Sequence, residues 1–312
     1  MLLFFVGHFN LYTLKSLIIP LCAIFLIIST STEARTADTV KTVKDTTWTI
    51  GGENSITFSQ VSLSNWAAGG ENSLSANGFL RVFANKKNEN NIWENQLKVA
   101  YGLVKQGEYS IRKSNDAMQF TSTYGRAVFK KWYLTAAIDF KSQFSPGYKY
   151  PNDSTIISDF LAPGYILASI GLDYKPNNDF SISLSPVSSR TTVVLNDSLS
   201  ASGKYGVDPG DKIRFEFVGT FKMMYKTDVM KNVSFRTNLE LLSNYMEEPE
   251  NIDVDWEVFI NMKINKYLSA NISTHLIYDN DVMIKNKEGI EAARVQFKEL
   301  FGIGFAYKFQ VN

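Results

Sequence analysis

Thiols and imidazoles are nearly missing from this chain. Its 312 residues include one cysteine, Cys22, and two histidines, His8 and His275. Cys22 and His8 lie in a stretch that reads as a leader, so the mature chain has no thiol for a disulfide, a zinc site or a nucleophile. One-sided charge is missing too: 32 Lys and Arg face 31 Asp and Glu, a formal net charge of +1. Nucleic-acid binding needs a clustered basic surplus, and none is present. An aromatic content of 13% with slightly negative mean hydropathy fits neither a helical membrane protein nor a disordered chain.

The one long apolar run is N-terminal. Lys15 precedes Ser16 to Ile28, and small residues from Ser29 to Ala34 follow, the layout of a cleaved signal peptide over residues 1–34. The run is short for a bilayer span of about 20 residues. Ile19, Pro20 and Leu21 before Cys22 lack the small residue of a lipoprotein cleavage site. The expected organisation is a leader (1–34), a short polar periplasmic segment (35–54) and one all-β domain (55–312).

That domain repeats one pattern about twelve times: some ten residues, apolar at every second position, then a polar turn. Trp93, Leu97, Val99, Tyr101 and Leu103 alternate with Glu94, Gln96 and Lys98; Val254, Trp256, Val258, Ile260 and Met262 oppose Asp253, Asp255, Glu257, Asn261 and Lys263. Met118 to Val128 alternates least clearly, and a change of phase between Phe58 and Val61 suggests a bulge. Connections alternate between short (130–131, 175–179, 265–267) and long (145–163, 188–212, 279–294). A soluble sandwich has no reason to sort its loops by end. Short periplasmic turns, long external loops and an even strand number instead describe an antiparallel up-and-down transmembrane β-barrel in the outer membrane. Tyr165, Tyr174, Tyr225, Tyr245 and Tyr278 near strand ends suit the headgroup level.

The polar faces then become a lumen wall, with Glu94, Lys98, Asp139, Lys141, Arg214, Glu216, Arg236, Glu240, Glu257, Lys263 and His275 as its expected lining. Mixed signs in a narrow barrel favour pairing across the lumen over a wide pore, so a narrow channel or a structural and binding barrel is expected, not an enzyme. His275 shares its polar face with Asn271 and Ser273, which admits a lipid hydrolase as an alternative. Residues two apart on a strand face are about 7 Å apart, however, too far to activate a nucleophile. Asp279-Asn280-Asp281 lacks the spacing of a calcium loop. No metal and no cofactor are expected.

The segment Trp48 to Thr57 recurs as Trp66 to Ser75, matching at Trp, Gly, Gly, Glu, Asn and Ser. Each copy reads as a turn whose glycines take positive φ, and Trp66, Gly69, Gly70 and Glu71 form a candidate partner loop; loop-mediated partner binding is thus a further alternative. The run Gly302 to Phe309 resembles the C-terminal signal read by the barrel-assembly machinery. With outer-membrane lipid, that machinery completes the expected partners, besides a small polar solute or a protein of unknown identity.

The stretch Phe58 to Gly70, with Tyr101-Gly-Leu-Val-Lys-Gln-Gly107, Tyr150-Pro-Asn-Asp153, Phe160-Leu-Ala-Pro-Gly164 and Val207-Asp-Pro-Gly210, resembles a family of secreted Gram-negative proteins, domain of unknown function 3078. The resemblance covers nearly the whole mature chain. It implies an outer-membrane-type barrel and no assigned reaction.

Overall fold

The computed structural model describes residues 48–64, 71–285 and 289–311. The leader and the candidate loop residues Trp66, Gly69 and Gly70 lie outside the described residues. In chain order the strands are β1 (Trp48–Val61), β2 (Ser73–Lys87), β3 (Asn91–Gln106), β4 (Arg112–Phe129), β5 (Trp132–Ser142), β6 (Gly147–Tyr148), β7 (Ile156–Ser158) and β8 (Gly164–Tyr174). There follow β9 (Phe180–Val193), β10 (Ile213–Met230), β11 (Val233–Asn244), β12 (Ile252–Lys263), β13 (Leu268–Tyr278), β14 (Met283–Lys285), β15 (Glu291–Ala293) and β16 (Gln296–Val311). A short helix, α1 (Asp197–Ala201), lies between β9 and β10.

Twelve strands close into an antiparallel barrel in the ring order β1-β16-β13-β12-β11-β10-β9-β8-β5-β4-β3-β2. The ring follows sequence order except where two small hairpins, β6-β7 and β14-β15, stand inside long external connections. Closure leaves no strand edge unpaired, which is what a backbone surrounded by hydrocarbon requires. The seam is β1 on β16, in register from Ile50 opposite Val311 to Phe58 opposite Ile303.

Period-two alternation sends one side chain in and the next out. The outward set is apolar and uncovered: Ile138 is 49% exposed, Ile170 55%, Leu184 55% and Phe301 58%. A soluble surface does not leave a continuous apolar belt of this kind in water, so the belt faces lipid. Aromatic pairs cluster at the turn end: Trp132 with Tyr174 at 4.9 Å, Trp48 with Trp93 at 5.4 Å and Phe180 with Tyr225 at 6.4 Å between ring centroids.

Four local expectations are corrected. First, Trp48 to Thr57 is strand rather than turn: Gly51 and Gly52 sit in β1, and neither has positive φ. A Cβ on Gly51 would stand 2.5 Å from the Phe83 ring, and one on Gly52 2.5 Å from the Arg81 carbonyl oxygen. These glycines make room for neighbours rather than for a turn. Second, β1 pairs with β2 without interruption as far as Val61 opposite Ser73, so the phase change after Phe58 is not a bulge. Third, the expected loop from Ser188 begins later, because β9 runs through Pro186 to Val193. The register shifts there against both neighbours, between Ile170 and Leu172 and between Val218 and Thr220, and a bulge is where a strand tolerates a residue that cannot donate. Fourth, Tyr165 pairs with Lys141 and Thr192 on the inward phase and is not an interfacial aromatic.

The external end has a small core of its own. Ala162, Val194, Leu199 and Val207 are buried together, with Ile156 and Tyr205 packed against them. Asn196 caps α1 by accepting from the Ser198 and Leu199 amides, and the Tyr205 hydroxyl donates to the Ile157 carbonyl. Burial pushes the Tyr205 phenol upward from its usual value.

Candidate functional site

The inward positions bring charged side chains of distant strands together. Lys141 on β5 donates from Nζ to Glu240 Oε2 on β11 at 2.9 Å and to Asp255 Oδ2 on β12 at 3.1 Å. Since β8, β9 and β10 stand between β5 and β11 in the ring, these bonds span the lumen. Lys222 on β10 donates to Asp139 Oδ2 at 2.5 Å and lies 3.5 Å from Glu240 Oε1. The Thr121 hydroxyl donates to Asp139 Oδ1 at 2.6 Å, and His275 Nε2 stands 2.8 Å from Asp255 Oδ1. A chain of contacts thus runs Asp139–Lys222–Glu240–Lys141–Asp255–His275. Separately, Lys98 on β3 reaches Glu257 on β12 at 3.5 Å, with β2, β1, β16 and β13 between them on the shorter way round. Charges withdrawn from bulk water need such partners, since an unpaired one is costly in a low-dielectric interior.

Above this girdle, toward the long loops, lies a cavity of about 500 Å³ whose floor is Asp139, Lys141, Glu240, Asp255 and His275. Arg190 crosses it: its guanidinium lies 2.9 Å from Asp253, 3.2 Å from Asp279 and 3.7 Å from Glu216, and rests over the Tyr165 ring at 4.9 Å. Arg214 joins Asp281 at 2.7 Å, Glu247 at 2.8 Å and Glu216 at 3.4 Å. The carboxylates of Asp279 and Asp281, weighed above against a calcium loop, are therefore counter-ions of lumen arginines. Among the described residues no set of three or more carboxylate, imidazole or thiol groups is placed to hold a metal.

At the turn end, Glu53 Oε1 accepts from Arg81 at 3.2 Å and from Arg236 at 3.1 Å, while Lys308 stands 3.7 Å from its other oxygen. Gly52, Phe83 and Phe309 help to line a recess of about 300 Å³ beside them. Lys175, in the turn after β8, donates to Glu94 and lies 3.4 Å from Asp173. Burial alone would lower its pKa, but the two carboxylates outweigh that and leave it raised.

Most of the expected lining residues take part in these contacts: Asp139, Lys141, Glu240 and His275 in the girdle, Arg214 and Glu216 above, Arg236 and Glu94 below, and Lys98 with Glu257 as a separate pair. Lys263 does not join them; it is exposed at the end of β12. Glu71 is exposed and lies against Gly107. Sequence reasoning passed over Glu53, Arg81, Arg190, Lys222 and Asp255 as lining residues. Lys222 and Asp255 sit on the polar phase of clean strands and were within reach. Glu53 was hidden by the glycines beside it, and Arg190 by its place in the expected loop 188–212.

The arrangement resembles, in outline only, other closed barrels. The chain has 10% identity to the NanC porin, covering 82% of this chain and 98% of that one at a TM-score of 0.38. It has 12% identity to an outer membrane channel from Pseudomonas putida F1, covering 89% and 100% at 0.38. For the translocator domain of the autotransporter NalP from Neisseria meningitidis the values are 7%, 95% and 96% at 0.34. No curated protein matches the chain. The family resemblance read from the sequence is borne out over residues 58–148, from late β1 to β6, which match the family described as a protein of unknown function, DUF3078; the motifs at 150–153, 160–164 and 207–210 lie outside the matched residues.

Proposed function

We propose that this chain is an outer-membrane barrel, exported by a leader over residues 1–34, whose lumen is a narrow passage for small polar solutes. The observation that carries this reading is the Lys141 ammonium shared between Glu240 and Asp255, at the centre of a chain of paired charges on the inward faces of β5, β10, β11, β12 and β13. Charges that bridge opposite walls narrow the lumen without filling it with apolar side chains, so a solute able to replace their hydrogen bonds gains entry. The test is single-channel recording of the purified barrel in planar bilayers. Small, discrete conductance steps are expected, and a membrane that stays sealed at all voltages and salts refutes the reading.

The 2.8 Å contact of His275 with Asp255 favours a second reading, hydrolysis of a lipid or acyl ester. Lipid or ester cleavage lost in His275→Ala would support it, and unchanged cleavage would exclude it.

A further inference from the structure

The recess at the turn end has more cations than its carboxylate can satisfy. Glu53 is the one acid among the residues lining it, against Arg81, Arg236 and Lys308. Both guanidiniums bond the same oxygen of Glu53, at 3.2 and 3.1 Å, and Lys308 approaches the other at 3.7 Å. One carboxylate balances one cation, so a formal surplus of two positive charges remains in a space of about 300 Å³.

A guanidinium has five N–H donors in a planar fork. Among the described residues, Glu53 is the one hydrogen-bond acceptor that either arginine reaches, and Arg81 Nε is buried without a partner. Two guanidiniums brought together on one shared oxygen, with donors left over, have the means to take a second oxyanion. The glycines let the walls close in: a side chain on Gly51 or Gly52 would strike Phe83, Phe309 or the Arg81 carbonyl, so the two rings stand beside β1 only because these positions carry no Cβ. Phe83 and Phe309 wall the recess, and the Arg81 guanidinium lies 5.7 Å from the Phe83 ring.

We infer that Arg81, Arg236 and Lys308 form a binding site for an oxyanion, the carboxylate or phosphate group of a small solute, at the turn end of the lumen. The inference deepens the solute-passage reading and rests on it for the direction of selectivity, but not for the binding itself. Glu53 acts as a built-in competitor: it holds the two arginines together when the site is empty and is displaced toward Lys308 when an anion enters.

The experiment has two arms. Calorimetric titration of the detergent-folded barrel with inorganic phosphate, and in parallel with succinate, at constant ionic strength set by chloride, reads binding alone. Saturable binding by either probe is expected, weakened at least tenfold in Arg236→Gln and several-fold in Lys308→Gln, an exposed position that leaves the fold unburdened. Glu53→Gln, which removes the competitor, tightens it. Which probe binds distinguishes a phosphate from a carboxylate ligand. No saturable heat with either probe, or equal heat in wild type and Lys308→Gln, overturns the inference. In the second arm, reversal potentials in a salt gradient shift toward cation selectivity in Lys308→Gln, and an unshifted potential counts against the site. A barrel that binds phosphate but never conducts removes the passage and leaves the site standing.

Discussion

Replacing Lys141 by methionine keeps the length of the side chain and deletes its charge. Two hydrogen bonds between charged groups disappear, at 2.9 Å to Glu240 and 3.1 Å to Asp255. Glu240 then retains Lys222 at 3.5 Å, and Asp255 retains His275 at 2.8 Å. A hydrogen bond involving a charged group contributes about 1.5–3 kcal/mol. The Lys141 and Asp255 side chains are each 32% exposed, so water recovers part of the loss, and about 2–4 kcal/mol is expected for the two bonds together. Urea unfolding of the barrel in lipid vesicles measures it, and adding Glu240→Gln isolates the pair, with a coupling of about 1–2 kcal/mol. The functional consequence is separate. Within the girdle, three carboxylates facing two ammonium groups become three facing one, and the span from β5 to β12 opens. Conductance therefore rises and the reversal potential moves toward the cation limit. Unchanged conductance and selectivity in a folded Lys141→Met barrel would refute the assignment of this cluster as the constriction.

Other outcomes follow from the same geometry. Gly51→Val drives a side chain into Phe83 and the Phe309 carbonyl; overpacking costs about 1–3 kcal/mol, and any band that shifts on heating in detergent gels of the wild-type barrel is expected to fade. Leu184→Lys, on the outward phase of β9, places a charge in the lipid belt at about 2–4 kcal/mol, while Ser183→Lys on the inward phase leaves urea unfolding nearly unchanged. Asn196→Ala removes the α1 cap, worth about 1 kcal/mol, and quickens protease cleavage between residues 194 and 212 without altering the barrel. Tyr205 provides a pH test outside the membrane. Its folded pKa is raised by burial, so its contribution is complete below the unfolded value near 10 and fades as pH climbs through the higher folded value. Cleavage of the same loop should accelerate above about pH 10, and Tyr205→Phe should flatten that dependence.

Strand number, closure and the sign of each face were readable because alternation reports which side a residue takes, and lipid enforces it with a large penalty. Strand limits were less readable where a local rule and the tertiary setting disagree. Residues from Ser188 onward read as the start of a loop, yet β9 continues past a bulge beside Pro186 and carries Arg190 into the lumen. Gly51 and Gly52 read as a turn because glycine permits positive φ, yet here it is the missing side chain that matters, which also conceals Glu53. Met118 to Val128 looked weak because Ser122 and Arg126 interrupt its apolar phase, though β4 is among the longest strands. Pairing across the lumen could be expected from mixed charge. Which lysine meets which carboxylate could not, because partners such as Lys98 and Glu257 are 159 residues apart and are set by how the ring closes.

The β1–β16 seam carries a consequence for biogenesis. Its two strands stand at opposite ends of the folded polypeptide, and the Glu53 cluster on one side of the seam needs Lys308 from the other. Hairpins such as β2-β3 or β12-β13 can zip as soon as their turns form, because their loop-closure entropy is small. The seam has to bring together residues some 250 positions apart, a distance at which no local contact helps. Until β16 arrives, β1 offers a bare row of amides and carbonyls in which an assembly factor can substitute for the absent neighbour. Seam closure would then be the last event of maturation, and the moment at which the arginines facing Glu53 first acquire their full charge surplus.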